Sequence, residues 1–285
     1  MYDLSYLTPQ IPDGPYAIKK GEPLYKLLNE HAIYYLARNI ELVYPAFAQD
    51  VFIDKAINGL ESLGLMDRAR HIAKSLYDAL NMTYEEAMAV MLKSLTEPRD
   101  QIEDSGLATF FYLPHSFLIS DFSPDLSTTE ITKAFAVSMD AMKQLTTRFT
   151  AEFCIRPFLI KYQNETMAYL QQWLDDSNSH VRRLCTEGTR PRLPWGLRIP
   201  AFVEDPSPTF YILDALKDDS TLYVRRSVAN HLGDITKSHP QYVFDICEKW
   251  LEDASADRRW LIRHALRYPD KKGDPRANAL RKAAK

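Results

Sequence analysis

The chain has 285 residues, 46% of them hydrophobic and 26% charged, with a formal net charge of −3. That composition suits a globular protein with a sizeable core and excludes a fibrous or low-complexity chain. No apolar run reaches the roughly 18 residues that a membrane span needs.

The N-terminus, MYDLSYLTPQIPDGPY, lacks a basic stretch followed by an apolar one, so no signal peptide and a cytoplasmic location are expected. Charge is unevenly distributed. Residues 1–139 hold 11 Lys+Arg against 19 Asp+Glu, a charge of −8, and residues 140–285 hold 24 against 19, a charge of +5. A basic half points to a polyanionic partner; a solvated charged surface is the plainer alternative. Cys154, Cys185 and Cys247 are widely spaced and form no CxxC. They suit a reducing compartment and argue against a disulfide framework or a thiolate metal site.

Residues 1–23 carry four prolines and two glycines and read as an extended arm. From residue 24 to 285 the pattern is helical almost throughout, and no two-domain linker stands out. Ile72, Leu76 and Ala79/Leu80 keep helical spacing, as do Leu145, Phe149 and Phe153. Glu152 lies close to that second stripe. A carboxylate there must be paired or used. The ordinary reading is a helical ion pair with Arg156, four residues on.

Residues 173–188, 216–234 and 250–266 repeat one pattern. The first two align at a spacing of 43, with Asp176 over Asp219 and Arg183 over Arg226; Arg259 falls over Arg226 after 33. A period of this size marks paired-helix solenoids of the HEAT type, whose units bury their apolar faces on one another. The expectation is an all-α, HEAT-like helical-repeat solenoid with a concave basic face. In 223–235, Val224, Val228, Leu232 and Ile235 form the core stripe, and Tyr223, Arg226, Ser227, Asn230 and Asp234 lie opposite. Arg183 occupies the matching stripe of the first repeat, and Arg259, Arg263 and Arg267 that of the third. Guanidinium forks match phosphate oxygens. The alternative is that Arg226 and its relatives pair with carboxylates between repeats.

Between the repeats, the segment Glu187–Trp195 has prolines on both sides of Arg192–Leu193 and ends in Trp195. A Trp on a stiff loop beside Arg190 and Arg192 can pack on a sugar or a cationic base, or be buried between two repeats. Asp205, Ser207 and 218–220 read as helix N-caps. No HExxH, glycine-rich phosphate loop or GxSxG elbow occurs. Tyr268–Pro269–Asp270 interrupts the last helical stretch.

The blocks TAEFCIRPF at 150–158, HVRRLCTEGTRPRLPWGLRIPAF at 180–202, DPSPTFYILDALKDDSTLYVRRSVANHLGDITKSHP at 205–240 and RRWLIRHAL at 258–266 resemble the AlkC branch of bacterial alkylpurine DNA glycosylases. RARHIA at 68–73 and FFYLPHSF at 110–117 also resemble it, so the likeness spans roughly 35–280. It implies an enzyme of base excision repair that grips double-stranded DNA containing alkylated bases and needs neither metal nor cofactor; nothing in the sequence demands more than a monomer. It implies excision of cationic N3-methylated bases, chiefly 3-methyladenine and also 3-methylcytosine. The family's catalytic carboxylates fall on Glu152 and Asp234 and its active-site Trp on Trp195. DNA contacts are expected from Arg183, Arg190, Arg192, Arg226, Arg259 and Arg263. The immunoglobulin-like C-terminal domain of some relatives is expected to be absent. The competing reading is a HEAT-repeat damage-recognition protein without catalysis.

Overall fold

The structure is a computed structural model that describes residues 7–98, 106–124 and 131–285. Among the described residues every regular element is helical. The chain divides into two compact units, 1–154 and 155–285.

The first unit contains α1 (Glu30–Val43), α2 (Gln49–Ile57), α3 (Leu65–Leu80), α4 (Tyr84–Lys93), α5 (Leu113–Phe122) and α6 (Ile131–Thr146). Local chemistry sets the helix ends. The Asn29 side chain accepts from Ala32 N and starts α1. Thr83 and Glu86 form a reciprocal capping box on α4. Asn81, with φ at 47°, closes α3 in the left-handed region. Helix α3 packs on α2 and α5, and α6 packs on α4 and α5. Arg68 of α3 is buried and donates to the carbonyls of Leu63 (2.9 Å) and Leu28 (3.1 Å).

Residues 7–23 of the N-terminal arm form turns and irregular backbone without an α-helix, and residues 1–6 lie outside the described part. The arm is tied down. The Asn39 side chain donates to Gln10 O (2.6 Å) and accepts from Gln10 N (3.0 Å), and Leu107 N donates to Pro15 O (2.8 Å).

The second unit contains α7 (Ile155–Lys161), α8 (Gln163–Gln172), α9 (Ser179–Gly188), α10 (Pro200–Glu204), α11 (Phe210–Leu216), α12 (Leu222–Ile235), α13 (Pro240–Leu251), α14 (Ala256–Ala265), α15 (Arg267–Lys271) and α16 (Pro275–Ala283). The three repeat helices, α9, α12 and α14, lie side by side with α12 in the middle. Helix α11 backs α9 and α12, and α13 backs α12 and α14. This is the helical-repeat arrangement that the 43-residue spacing predicts. Val224, Val228, Leu232 and Ile235 of α12 are all fully buried.

The two arginines of each repeat pair divide their work. The first member joins neighbouring repeats. Arg182 grips Asp219 through Nε (2.6 Å) and Nη2 (3.1 Å). Arg225 pairs with Asp257 (3.0 Å) and donates to Asp219 O. Arg258 grips Asp218 through Nε (2.8 Å) and Nη2. The inter-repeat pairing foreseen for Arg226 and its relatives is therefore made by the residues one position earlier. The Asp-rich runs also act differently from plain N-caps. Asp176 accepts from Asn178 N and Asp219 from Thr221 N, each at 2.8 Å. Both acids lie too far upstream to cap and instead order the turn before the helix.

Burial would raise the Asp219 carboxyl, but Arg182 and Thr221 outweigh it and hold it below the usual range. A depressed folded value means that the stabilisation is present above the unfolded pKa of about 4 and is lost as pH falls below it. Asp219→Asn keeps the turn acceptor and loses the ion pair. It is expected to destabilise the fold by about 3 kcal/mol at pH 7, read as a lowered thermal midpoint. The difference from wild type should shrink as the pH is taken below 4.

Candidate functional site

The loop after α9 is held by a buried guanidinium. Arg156, on α7, is 0% exposed. It donates to Gly188 O (2.9 Å), Arg190 O (2.8 Å) and Leu197 O. Those carbonyls stand at both ends of the loop, so one side chain clamps its entry and its exit. Gly188 leaves no room for a side chain: a Cβ there would sit 2.8 Å from the Ile155 side chain. At the tip, Trp195 has φ at +62° and is 63% exposed. A bulky aromatic in the left-handed region is strained, and strain of this kind collects at functional positions. The buried placement left open by the sequence is not the one adopted.

Beside the loop lies an ion cluster between α9 and α12. Arg190 donates from Nη1 to Glu187 Oε1 (2.5 Å) and from Nε to Asp234 Oδ2 (2.8 Å). All three residues are less than 9% exposed. Ser227 Oγ donates to Glu187 Oε2 (2.5 Å) and accepts from Thr186 Oγ1. Arg183 approaches Glu187 to 3.6 Å, and Lys237 Nζ donates to Asp234 Oδ1 (2.7 Å). Burial would raise the Glu187 carboxyl; Arg183, Arg190 and Ser227 outweigh it and keep it below the usual range. Burial would likewise lower Arg190, and its two carboxylates reverse that. Behind the cluster His231 donates from Nδ1 to Thr186 O (3.0 Å), and burial pushes its pKa down to about 4. It is a neutral structural imidazole.

Two expectations change here. Ser227 and Asp234 do not line an open stripe; α9 covers them because α12 is packed on both flanks. Arg190 is engaged by two buried carboxylates, so its reach is inward and it orients Asp234. Sequence reasoning places Glu187 on the stripe of Arg183 but does not mark Lys237 or the clamping role of Arg156. The i, i+3 spacings Glu187/Arg190 and Asp234/Lys237 were the available signals.

The remaining arginines sort by partner. Arg226 is exposed on α12, and Arg183 stacks over the Tyr223 ring at 5.0 Å. His180 meets the same ring edge-on. Arg192 donates from Nη2 to Ser238 Oγ (2.6 Å), while its Nη1 is buried without a hydrogen-bond partner. Arg259 donates to Ala283 O (3.0 Å) and Arg263 to Ala284 O, so both hold the C-terminal end of α16. Arg267 reaches back to Asn230 Oδ1 (3.1 Å).

Glu152 belongs to the first unit. The helix drawn through Leu145, Phe149 and Phe153 is interrupted: α6 ends at Thr146 and α7 begins at Ile155. Two forces end it. Arg148 and Thr147 donate to Gln144 O (both 2.8 Å), and Pro157 has no N–H for the carbonyl of Phe153. Glu152 thus sits in the connecting turn, 9% exposed, and accepts from Thr150 Oγ1 (2.7 Å). Among the described residues no group of three or more His, Cys, Asp or Glu is arranged to hold a metal ion, and no helix is long and apolar enough to cross a membrane.

Comparison with known proteins follows the same lines. The DNA alkylation repair enzyme family matches residues 66–268. An uncharacterized protein of Bacillus subtilis (strain 168), YhaZ, is 36% identical over 267 residues, which are 90% of this chain and 67% of YhaZ. The solved structure of Pseudomonas fluorescens alkylpurine DNA glycosylase AlkC, bound to DNA containing an abasic site analog, superposes with a TM-score of 0.80. It shares 36% identity and is matched over 91% of this chain and 67% of its own. The chain belongs to the DNA alkylation repair enzyme family.

Proposed function

We propose that this chain is a DNA glycosylase that hydrolyses the N-glycosidic bond of cationic N3-methylated bases, 3-methyladenine above all, in double-stranded DNA. One observation carries the reading: Trp195 is a solvent-exposed aromatic in a strained backbone conformation, on a loop clamped at both ends, in a chain 36% identical to an alkylpurine DNA glycosylase. An aromatic presented in this way suits a flat cationic base or its sugar.

The chemistry fits carboxylates better than a general acid. An N3-methylated adenine is already positively charged and departs as a neutral base. The group that needs help is the sugar, which becomes oxocarbenium-like as the bond breaks. Asp234 is assigned to the attacking water and Glu152 to the cationic sugar. Preorganisation supports both assignments: Asp234 is oriented by Arg190, and Glu152 by Thr150. Arg183, Arg192 and Arg226 are assigned to phosphates, which suits the basic second half of the chain. A DNA repair enzyme of this kind works in the cytoplasm, on the nucleoid.

Release of free base from methylated duplex DNA, followed by mass spectrometry, tests the reading. Wild type should release 3-methyladenine. Asp234→Asn and Glu152→Gln should each slow release by about 10²- to 10³-fold while still binding DNA, as expected on losing a preorganised electrostatic group. Full activity in both variants would sink the assignment, and DNA binding without release by wild type would leave a damage-recognition protein.

Trp195→Ala should weaken binding to a duplex with a cationic lesion by about 3- to 30-fold. Affinity for undamaged duplex should change little. Equal losses on both DNAs, measured by fluorescence anisotropy, would make Trp195 a general wedge instead of a lesion contact.

A further inference from the structure

Neither oxygen of Asp234 is open to an attacking water in the state seen here. Both of its oxygens carry cations, Arg190 on Oδ2 and Lys237 on Oδ1. Glu187 adds a second carboxylate and Arg183 a third cation. Two carboxylates facing three cations leave the cluster with one net positive charge, which opposes the uptake of a proton from water. Removing one cation makes the cluster neutral, so the question is which cation can leave.

The structure distinguishes them sharply. The Arg190 side chain is 10% exposed and bound at two carboxylates. The Arg183 side chain is 18% exposed and stacked on Tyr223. The Lys237 side chain is 40% exposed and makes a single i, i+3 contact from a flexible stem. Such a half-exposed pair is weakly held. A second observation shows where Lys237 could go. Arg192 is anchored on Ser238, the residue after Lys237, and its buried Nη1 has no hydrogen-bond partner. The turn that follows α12 therefore carries the Lys237 ammonium and, on the next residue, the anchor of a guanidinium with an unpaired donor.

We propose that Lys237 and Arg192 form a phosphodiester subsite, and that Lys237 is a positioning residue exchanged between Asp234 and that phosphate. Without DNA, Lys237 covers Oδ1. A phosphate bound at Arg192 draws it away, which uncovers the carboxylate and neutralises the cluster. The carboxylate is thus exposed to charge only where a DNA backbone is seated. This inference rests on the assignment of Asp234 made above.

The test is binding of the full chain to a duplex with a tetrahydrofuran abasic analogue, over a range of salt concentrations. Lys237→Met should bind more weakly, with the slope of log K against log salt reduced by about one. Asp234→Asn frees Lys237 in advance and should bind about two- to fivefold more tightly than wild type. That gain should vanish when Lys237→Met is combined with it. A gain that persists in the double variant, or a salt slope unchanged in Lys237→Met, overturns the subsite. If Asp234→Asn does not fold, the slope of Lys237→Met alone decides. Base release by Asp234→Asn separates the two claims: full release with the affinity gain would remove Asp234 from catalysis and keep the subsite.

Discussion

A buried guanidinium must find oxygen acceptors for its N–H donors, because it cannot lose its charge. Much of this structure follows from how that demand is met. Arg156 meets it with three carbonyls and so fixes the loop that presents Trp195. Arg190 meets it with two carboxylates and so joins α9 to α12. Arg182, Arg225 and Arg258 meet it with acids of adjacent repeats and so set the stacking of the helices. Arg68 does the same with carbonyls in the first unit. Removing an acceptor from Arg68, Arg156, Arg190 or Arg225 leaves a buried charge uncompensated, so each is a fixed point of the scaffold.

Fixed points are what an electrostatic catalyst needs. A carboxylate that positions water beside a developing cation must not reorganise as the charge develops. Asp234 is held by Arg190, which is itself held by Glu187, which is held in turn by Ser227. The chain of contacts ends in Thr186 and the neutral His231 behind it. Of the two cations on Asp234, Lys237 is the more exposed, so the rigidity stops at the residue proposed to move.

The repeat helices show one sequence motif supporting two tasks. In each Arg–Arg pair the first residue reaches an adjacent repeat: Arg182 and Arg225 the following one, Arg258 the preceding one. The second keeps a different direction, about 100° further round the helix. In α9 and α12 that direction leaves Arg183 on Tyr223 and Arg226 in solvent. In α14 it meets α16, and Arg259 and Arg263 close the end of the array on helix carbonyls.

The sequence alone determined the helical class, the repeat spacing and the core stripe of α12, because hydrophobic period and chain punctuation are local properties. It also marked Trp195, Asp234 and Glu152 through family resemblance. It misplaced the helix through Phe149 and Phe153, although Pro157 carried the warning. Only the tertiary structure decided which polar residues are buried. Ser227 and Asp234 look solvent-facing on an isolated helix and are covered once α9 packs against them. The same packing turned Arg190 inward and made Arg156 a clamp across residues 188–197. Those partners are 32 to 44 residues away in sequence. A charge finds its counter-charge through space, and spacing along one helix cannot say which neighbour the fold will bring.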